Sequence, residues 1–495
     1  MTTRFLARNV LFNLAAQVIP LAAAIVAIPR LIQALGASDF GILTLVWGAI
    51  GYFGLFDFGL GRALTHAIAV RLGNGETGEL GAVTWTGLAL MTVFGCAGGL
   101  LLGALTPLLV DHALNVPAAS RNETLTSFYI MAAAIPVTLL ATGFRGILEA
   151  FQDFPIASLL RVPLAMLNYL GPLAALPFSH RLPAVVLALA SVRVLGCALH
   201  ATVCFARYKF LRDDLRMSRR LVTSLLRYGG WLTITNVVSP LMVTLDRFLI
   251  GALLPMAAVA YYVTPFEMVT KLFIVPVALL GVLFPAFATT FARDRERTTV
   301  LVDRGVRAVL LVVFPATLAM ACFAHEGLQL WINAEFSREG AAILQWLAVG
   351  VLINCPGQVF FTALQGVGRP DLTARVHLIE LPIYVAMIWL LTHAFGLVGV
   401  AIAWTLRVTL DTTLLLLLTA RALPDLRAAL ARCAAVLTTM VAGLALISQV
   451  STFEWRCAGF LLDMVIAVAG GWIVLLTSQE RETIRRAITA ASDRQ

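Results

Sequence analysis

Residues 145–162 read RGILEAFQDFPIASLLRV and residues 361–378 read FTALQGVGRPDLTARVHL, and the two lie on one another without a gap. Each leaves an apolar helix, crosses a short polar turn containing a proline, and enters another apolar helix. The chain repeats elsewhere on the same scale. A first helix ending in PRLIQALGASDFGIL (29–43) resembles a seventh ending in DRFLIGALLPMAAVAYYV (246–263). Between these landmarks the chain is almost entirely apolar.

Charged residues make up 13% of the 495 and apolar residues 60%, where an ordinary soluble protein is about 25% charged. Apolar segments of spanning length occur at 9–34, 40–61, 81–110, 125–148, 154–178, 183–206, 228–254, 257–284, 301–324, 341–364, 372–395, 397–420, 429–450 and 456–477. Runs this long suit α-helices, which satisfy their backbone polar groups internally in lipid. A membrane β-barrel would alternate polar and apolar residues in short segments. The expected fold is all-α: a polytopic membrane protein of about fourteen transmembrane helices, in two pseudo-repeated lobes plus an extra C-terminal helix pair. The lobes are expected at 1–208 (helices one to six) and 220–421 (helices seven to twelve), then the added pair at 427–477 and a cytoplasmic tail at 478–495. A repeat of about six helices fits a two-lobed transporter with its substrate site between the lobes. AAAIVA (22–27) looks like a signal-peptide cleavage site, but the apolar run continues past it and reads as an uncleaved first helix.

Basic residues exceed acidic ones by nine, and 34 of the 36 are arginine. Their placement alternates along the chain. With a cytoplasmic N-terminus, one set of loops and helix ends, from Arg4 and Arg8 to the tail, holds 27 of the 36, with a dense stretch from Arg207 to Arg227. The opposite loops hold only Arg121, Arg181, Arg338 and Arg456. This is the positive-inside pattern, and it puts both termini in the cytoplasm. The basic charge is therefore topology and calls for no nucleic-acid partner. The seven cysteines make no C-x-x-C pair and read as small hydrophobes in helix packing. The chain has no P-loop, no H-E-x-x-H and no G-x-S-x-G, and its seven histidines are scattered singly. No catalytic residue, metal or cofactor is expected, and no enzyme activity.

RNVLFN (8–13), GASDFGILTLVWG (36–48), FDFGLGRALTHAIA (56–69), WLTITNVVSPLMVTLDRFLIGALL (231–254) and VFFTALQGVGRPDLTA (359–374) follow in an order and spacing that resembles one family. These are the polysaccharide flippases of the multidrug/oligosaccharidyl-lipid/polysaccharide exporter superfamily, and the resemblance spans nearly the whole chain. It implies a flippase of a bacterial inner membrane, working by alternating access. Such a protein carries an undecaprenyl-diphosphate-linked oligosaccharide from the inner to the outer leaflet, for O-antigen, capsule or exopolysaccharide. Its partners would be that lipid-linked oligosaccharide, the bilayer and the polysaccharide polymerase machinery. The alternatives within the superfamily are a lipid II flippase, also of fourteen helices, and a drug or metabolite exporter, usually of twelve and with an acidic cavity.

Ionisable residues inside spans are costly and face protein or water. Here they are Arg30, Asp57, Arg193, Asp246, Arg247, Glu267, Lys271, Glu380, Arg407, Asp411 and Asp463. The resemblance implies that helices one, two, seven and eight line a central cavity. Arg30, Arg247 and Lys271 would then present positive charge to the diphosphate, and arginine's planar fork suits two parallel bonds to phosphate oxygens. Residues 246 and 247 point about 100° apart around a helix, so Asp246 would tether a neighbouring helix or pair with Arg30. Asp57, Arg62, Asp246 and Glu267 are the gating or coupling candidates. The blander reading stays open beside it. Asp246 and Arg247 lie near enough to the outer end to snorkel, and Glu267 with Lys271 or Arg407 with Asp411, each four residues apart, could be ion pairs within one helix. Pro20, Pro29, Pro240, Pro265 and Pro276 each permit a bend.

Overall fold

The computed structural model describes residues 3–56, 59–226, 245–291, 294–366, 368–448, 450, 452–471 and 481–482. Every regular element among them is helical. The first long helix, α1 (Thr3–Phe56), is two helices end to end, because Gly36 takes φ 77° and ψ 167°. A long helix near the other end, α14 (Pro370–Ala422), is divided the same way by Gly396 at φ 58°. Lacking a Cβ, glycine adopts positive φ without the steric penalty other residues meet. The breaks fall between predicted helices one and two, and eleven and twelve.

Between them run α2 (Leu60–Asn74), α3 (Leu80–Leu108), α4 (Arg121–Ala150), α5 (Phe154–Ala175), α6 (Leu182–Arg207) and the short α7 (Phe210–Asp213). Residues 227–244, most of predicted helix seven, lie outside the described residues; its end is helical at 245–253 (α8). Predicted helix eight is not continuous. It is α9 (Met256–Thr270), a 3-10 turn at Lys271–Phe273, and α10 (Ile274–Phe291). Pro276 has no N–H to give the carbonyl four residues back, at Leu272, and its ring crowds that carbonyl, so the helix tightens there. Then follow α11 (Arg295–Cys322), α12 (Ala324–Trp331), α13 (Ala334–Gly366), α14, α15 (Arg427–Ser448) and α16 (Phe453–Gly470). Ten stretches among the described residues are long and apolar enough to cross a membrane, and two of them contain the Gly36 or Gly396 break. The chain is thus a multi-pass, all-α membrane protein.

It forms two compact units, Met1–Val263 and Thr264–Gln495. In the first, α3 packs on α4 through small residues: a Cβ on Gly95 or Gly99 would stand 2.6 Å from Pro136 Cα or the Ala132 carbonyl oxygen. Such residues let membrane helices approach closely where no hydrophobic effect drives them together. In the second, α13 packs on the second half of α14 as a parallel pair. Thr405 Oγ1 donates to the Trp346 carbonyl at 2.9 Å and Thr412 Oγ1 to the Ile353 carbonyl at 3.1 Å, a step of seven residues on both helices.

The repeated turn is visible in the backbone. Gln152, the one non-glycine among the described residues with positive φ (59°), aligns with Gly368 (φ 80°). The two sequences that overlay without a gap also place a left-handed residue at the same position. After the first of these turns, Asp153 accepts from Arg207 Nε and Nη2 at 2.9 and 3.1 Å and from the Tyr208 hydroxyl, tying the α4–α5 turn to the end of α6. These bonds hold the Asp153 carboxyl below its ordinary range, the Tyr208 bond foremost, while burial works against them.

Candidate functional site

Asp246 and Arg247, which open the question of charge in the membrane, are both buried in the first unit. Neither snorkels. Asp246 Oδ2 accepts from the Tyr262 hydroxyl at 2.8 Å, and Oδ1 accepts from the Arg247 amide at 2.8 Å. Tyr262 on α9 is fully buried, so Asp246 tethers α8 to α9, one of its two expected roles. A buried carboxylate is tolerable only with such donors. The last carbonyls of α8 are also occupied. The Asn115 amide donates to the Gly251 carbonyl at 2.8 Å, and the Asn115 side chain donates to those of Ala252 at 2.8 Å and Leu254 at 3.3 Å. The loop after α3 thus caps a helix end whose carbonyls have no partner within the helix. Beside it, α1 comes so close to α9 that a Cβ on Gly41 would stand 2.2 Å from the Met256 carbonyl oxygen.

Arg30 is exposed on α1, six residues before the Gly36 break. Arg62 is exposed on α2, just after Gly59 at φ 68°. Asp57 lies outside the described residues. Glu267 and Lys271 belong to the second unit, and the expected pairing is present: Lys271 Nζ donates to Glu267 Oε2 at 2.7 Å, with both side chains about a third exposed. The Lys271 charge is therefore already engaged by a carboxylate on the preceding turn.

The pairing expected of Arg407 with Asp411 is not what the second unit shows. The Arg407 guanidinium lies over the Tyr384 ring, 5.4 Å from its centroid. Asp411 faces His377 instead, Nε2 to Oδ1 at 3.6 Å. The turn at Gly396 folds the two halves of α14 antiparallel, so residues equally far from it meet. His377, Glu380 and Asp411 come together, one ring nitrogen or carboxylate oxygen from each, all within 4.8 Å of one another. Glu380 is 1% exposed and neither of its carboxylate oxygens has a hydrogen-bond donor among the described residues. The sequence pattern leaves Glu380 alone, offers Asp411 to Arg407 one turn away, and counts His377 among scattered histidines in surface or packing roles. The signal that would have joined them is their distance from Gly396: sixteen residues before for Glu380 and fifteen after for Asp411.

This multi-pass bundle, with buried charge in both units, shares the fold of a known class of membrane transporters. It superposes on an inward-facing multidrug-resistance transporter of the MATE family, within the superfamily that joins drug exporters to oligosaccharide flippases. The TM-score is 0.72 at 16% identity, covering 83% of this chain and 95% of that one. It superposes also on the lipid II flippase MurJ in an inward closed conformation, with a TM-score of 0.69 at 11% identity, covering 93% and 97%. These likenesses define the fold. Within that class the chain belongs to the polysaccharide biosynthesis protein family, whose pattern matches residues 6–291. A Shigella flexneri protein provisionally named an O-antigen transporter is 28% identical over 413 residues, 82% of this chain and 96% of that one. The relatives are transporters and flippases rather than enzymes.

Proposed function

We propose that this protein is a flippase for a lipid-linked oligosaccharide, carrying the undecaprenyl-diphosphate-linked unit from the inner to the outer leaflet of a bacterial inner membrane for surface polysaccharide. The observation that carries the reading is the match to the Shigella flexneri O-antigen transporter over nearly its full length. Flipping by alternating access keeps the diphosphate and sugars in a polar cavity while the polyprenyl tail stays in lipid, so neither crosses the wrong medium. Arg30, Arg247 and Lys271 are the cations proposed to meet the diphosphate. Arg247 is the foremost of them, because a buried guanidinium is retained where it has an anion to meet. The lobes that alternate are proposed to be 1–208 and 220–421, with 427–477 outside them and both termini cytoplasmic. Asp57 and Arg62 remain gating candidates, and the polymerase machinery is the partner that would consume the product outside.

The test is deletion of the gene in its native host, reading surface glycan together with the pool of polyprenyl-diphosphate sugars. Loss of surface glycan with build-up of the lipid-linked unit is the expected result, and an Arg247→Ala copy should fail to restore it. Export of drugs is favoured by one observation, the slightly higher TM-score to the MATE transporter. Unchanged glycan and precursor, with new drug sensitivity, would select that reading.

A further inference from the structure

The cluster in α14 has a charge imbalance at membrane depth. Glu380 and Asp411 bring two negative charges and Arg407 one positive, and His377 is neutral unless protonated. Among the described residues, the elements packed against α14 do not redress this: α9 meets it where Phe266 lies edge-on to Trp404, and its two charges, Glu267 and Lys271, are paired with each other. α13 carries no Asp, Glu, Lys, Arg or His between residues 340 and 366, only Cys355, and it supplies Phe361, stacked on the His377 ring at 5.6 Å. Asp425, Arg427 and Arg432 follow the far end of α14, beyond Ala422. On α14 itself the remaining titratable neighbour is Tyr384, which lies under Arg407. One added positive charge balances the cluster; a divalent ion would overshoot. Two carboxylates cannot hydrogen-bond each other without a proton between them, and leaving a buried carboxylate without a donor costs several kcal/mol.

We infer that His377, Glu380 and Asp411 bind one exchangeable proton, and that this proton is the ion exchanged during the transport cycle. The three residues are graded in depth. His377 lies about 10 Å along the axis from the start of α14 and Glu380 about 15 Å, by the 1.5 Å rise of the helix. His377 is also the most exposed, its side chain at 19% against 9% for Asp411. A proton taken from water by His377 passes to Asp411, leaving neutral imidazole, and is then held between the two carboxyls. Release reverses the step, and no other atom is transferred. Asp411 is held in place for this by its neighbour Thr412, bonded to the Ile353 carbonyl. Chains of Asp, Glu and His inside membranes serve as proton relays in other transporters. The site takes the coupling role that sequence reading had offered to Asp57 or Glu267. The coupling half of this inference rests on the flippase reading; the proton site does not.

Infrared difference spectra of the purified protein in nanodiscs, as pH is raised, read the site without any substrate. A carboxylic-acid carbonyl band present near neutral pH, lost in alkali and absent from Glu380→Gln and Asp411→Asn, is the expected result. Absence of such a band from the wild type at every pH would overturn the site. So would binding of zinc or manganese that Glu380→Gln abolishes. Coupling is read in the deletion host: Glu380→Gln, with membrane abundance equal to wild type, should leave surface glycan at the level of the deletion. Full restoration by Glu380→Gln alongside an intact infrared band would refute coupling, whereas failure of wild-type restoration would refute the flippase reading instead.

Discussion

Gly41→Ala offers a change whose sign separates tertiary packing from helix propensity. In the interior of an isolated helix, replacing glycine by alanine gains about 1 kcal/mol, because glycine loses more backbone freedom on folding. At Gly41 the new methyl would stand 2.2 Å from the Met256 carbonyl oxygen, where carbon and carbonyl oxygen settle at about 3.3 Å or more. The obstacle is backbone, so α1 and α9 must part by about 1 Å. Overpacking of this kind costs about 1–3 kcal/mol, enough to cancel the propensity gain and leave a net loss of up to about 2 kcal/mol. A matched control exists in the same unit. Gly103, inside α3, would meet nothing within 4 Å, so Gly103→Ala should keep its gain. Thermal unfolding followed by a thiol-reactive fluorophore suits the measurement, since Cys204, Cys322, Cys355 and Cys433 are buried in the native state. Gly103→Ala should melt at or above the wild type and Gly41→Ala below it. A Gly41→Ala protein as stable as its control would mean that α1 does not press on the start of α9.

Three further outcomes follow from named contacts. Because its bonds to Tyr208 and Arg207 hold the Asp153 carboxyl below its ordinary 3.8, this group adds stability above that value, lost as pH falls through the depressed one. Tyr208→Phe should lower stability near neutrality, flatten its fall on the acid side and leave it unchanged below the depressed value, read from melting curves across pH. Arg456 in α16 donates to Glu326 at 2.5 and 3.1 Å and to the Cys322 carbonyl at 3.1 Å. Arg456→Ala strands a carboxylate that is about a third exposed, so the loss should be about 1–3 kcal/mol rather than the 3–5 of a fully buried pair, with faster maleimide labelling of the adjacent Cys457. Asn115→Ala removes two bonds to the end of α8 and should cost about 1–2 kcal/mol, at roughly 1 kcal/mol per hydrogen bond, measured by the same melting assay.

Much of the architecture was legible because membrane helices announce themselves by length and polarity. The breaks at Gly36 and Gly396 fall in the gaps left between apolar runs, and the overlay of 145–162 on 361–378 correctly matched Gln152 to Gly368. Composition did not reveal the interruption of helix eight. That run reads as one span despite Glu267 and Lys271, and of its two bend-permitting prolines it is Pro276 that marks the place. Charge within a span was legible, but its partner was not. An i,i+4 spacing puts Glu267 and Lys271 on one face, and there they pair. The same spacing does not pair Arg407 with Asp411, since across the hairpin Arg407 lies over the Tyr384 ring and Asp411 faces the His377 imidazole. Contacts across a hairpin are set by distance from its turn, which apolar runs locate only to within a few residues.

The hairpin at Gly396 also orders events at the ribosome. Glu380 leaves the exit tunnel thirty-one residues ahead of Asp411, a lag of a few seconds at about 5–20 residues per second. A lone acidic residue at mid-helix resists insertion by about 2.5–3.5 kcal/mol on the translocon scale. During that interval the first arm of α14 carries Glu380 without the residues that will surround it, and once the second arm arrives the two can enter lipid together. The first arm is thus costliest to insert alone, and the thirty-one residues between the two acids set how long it stays so.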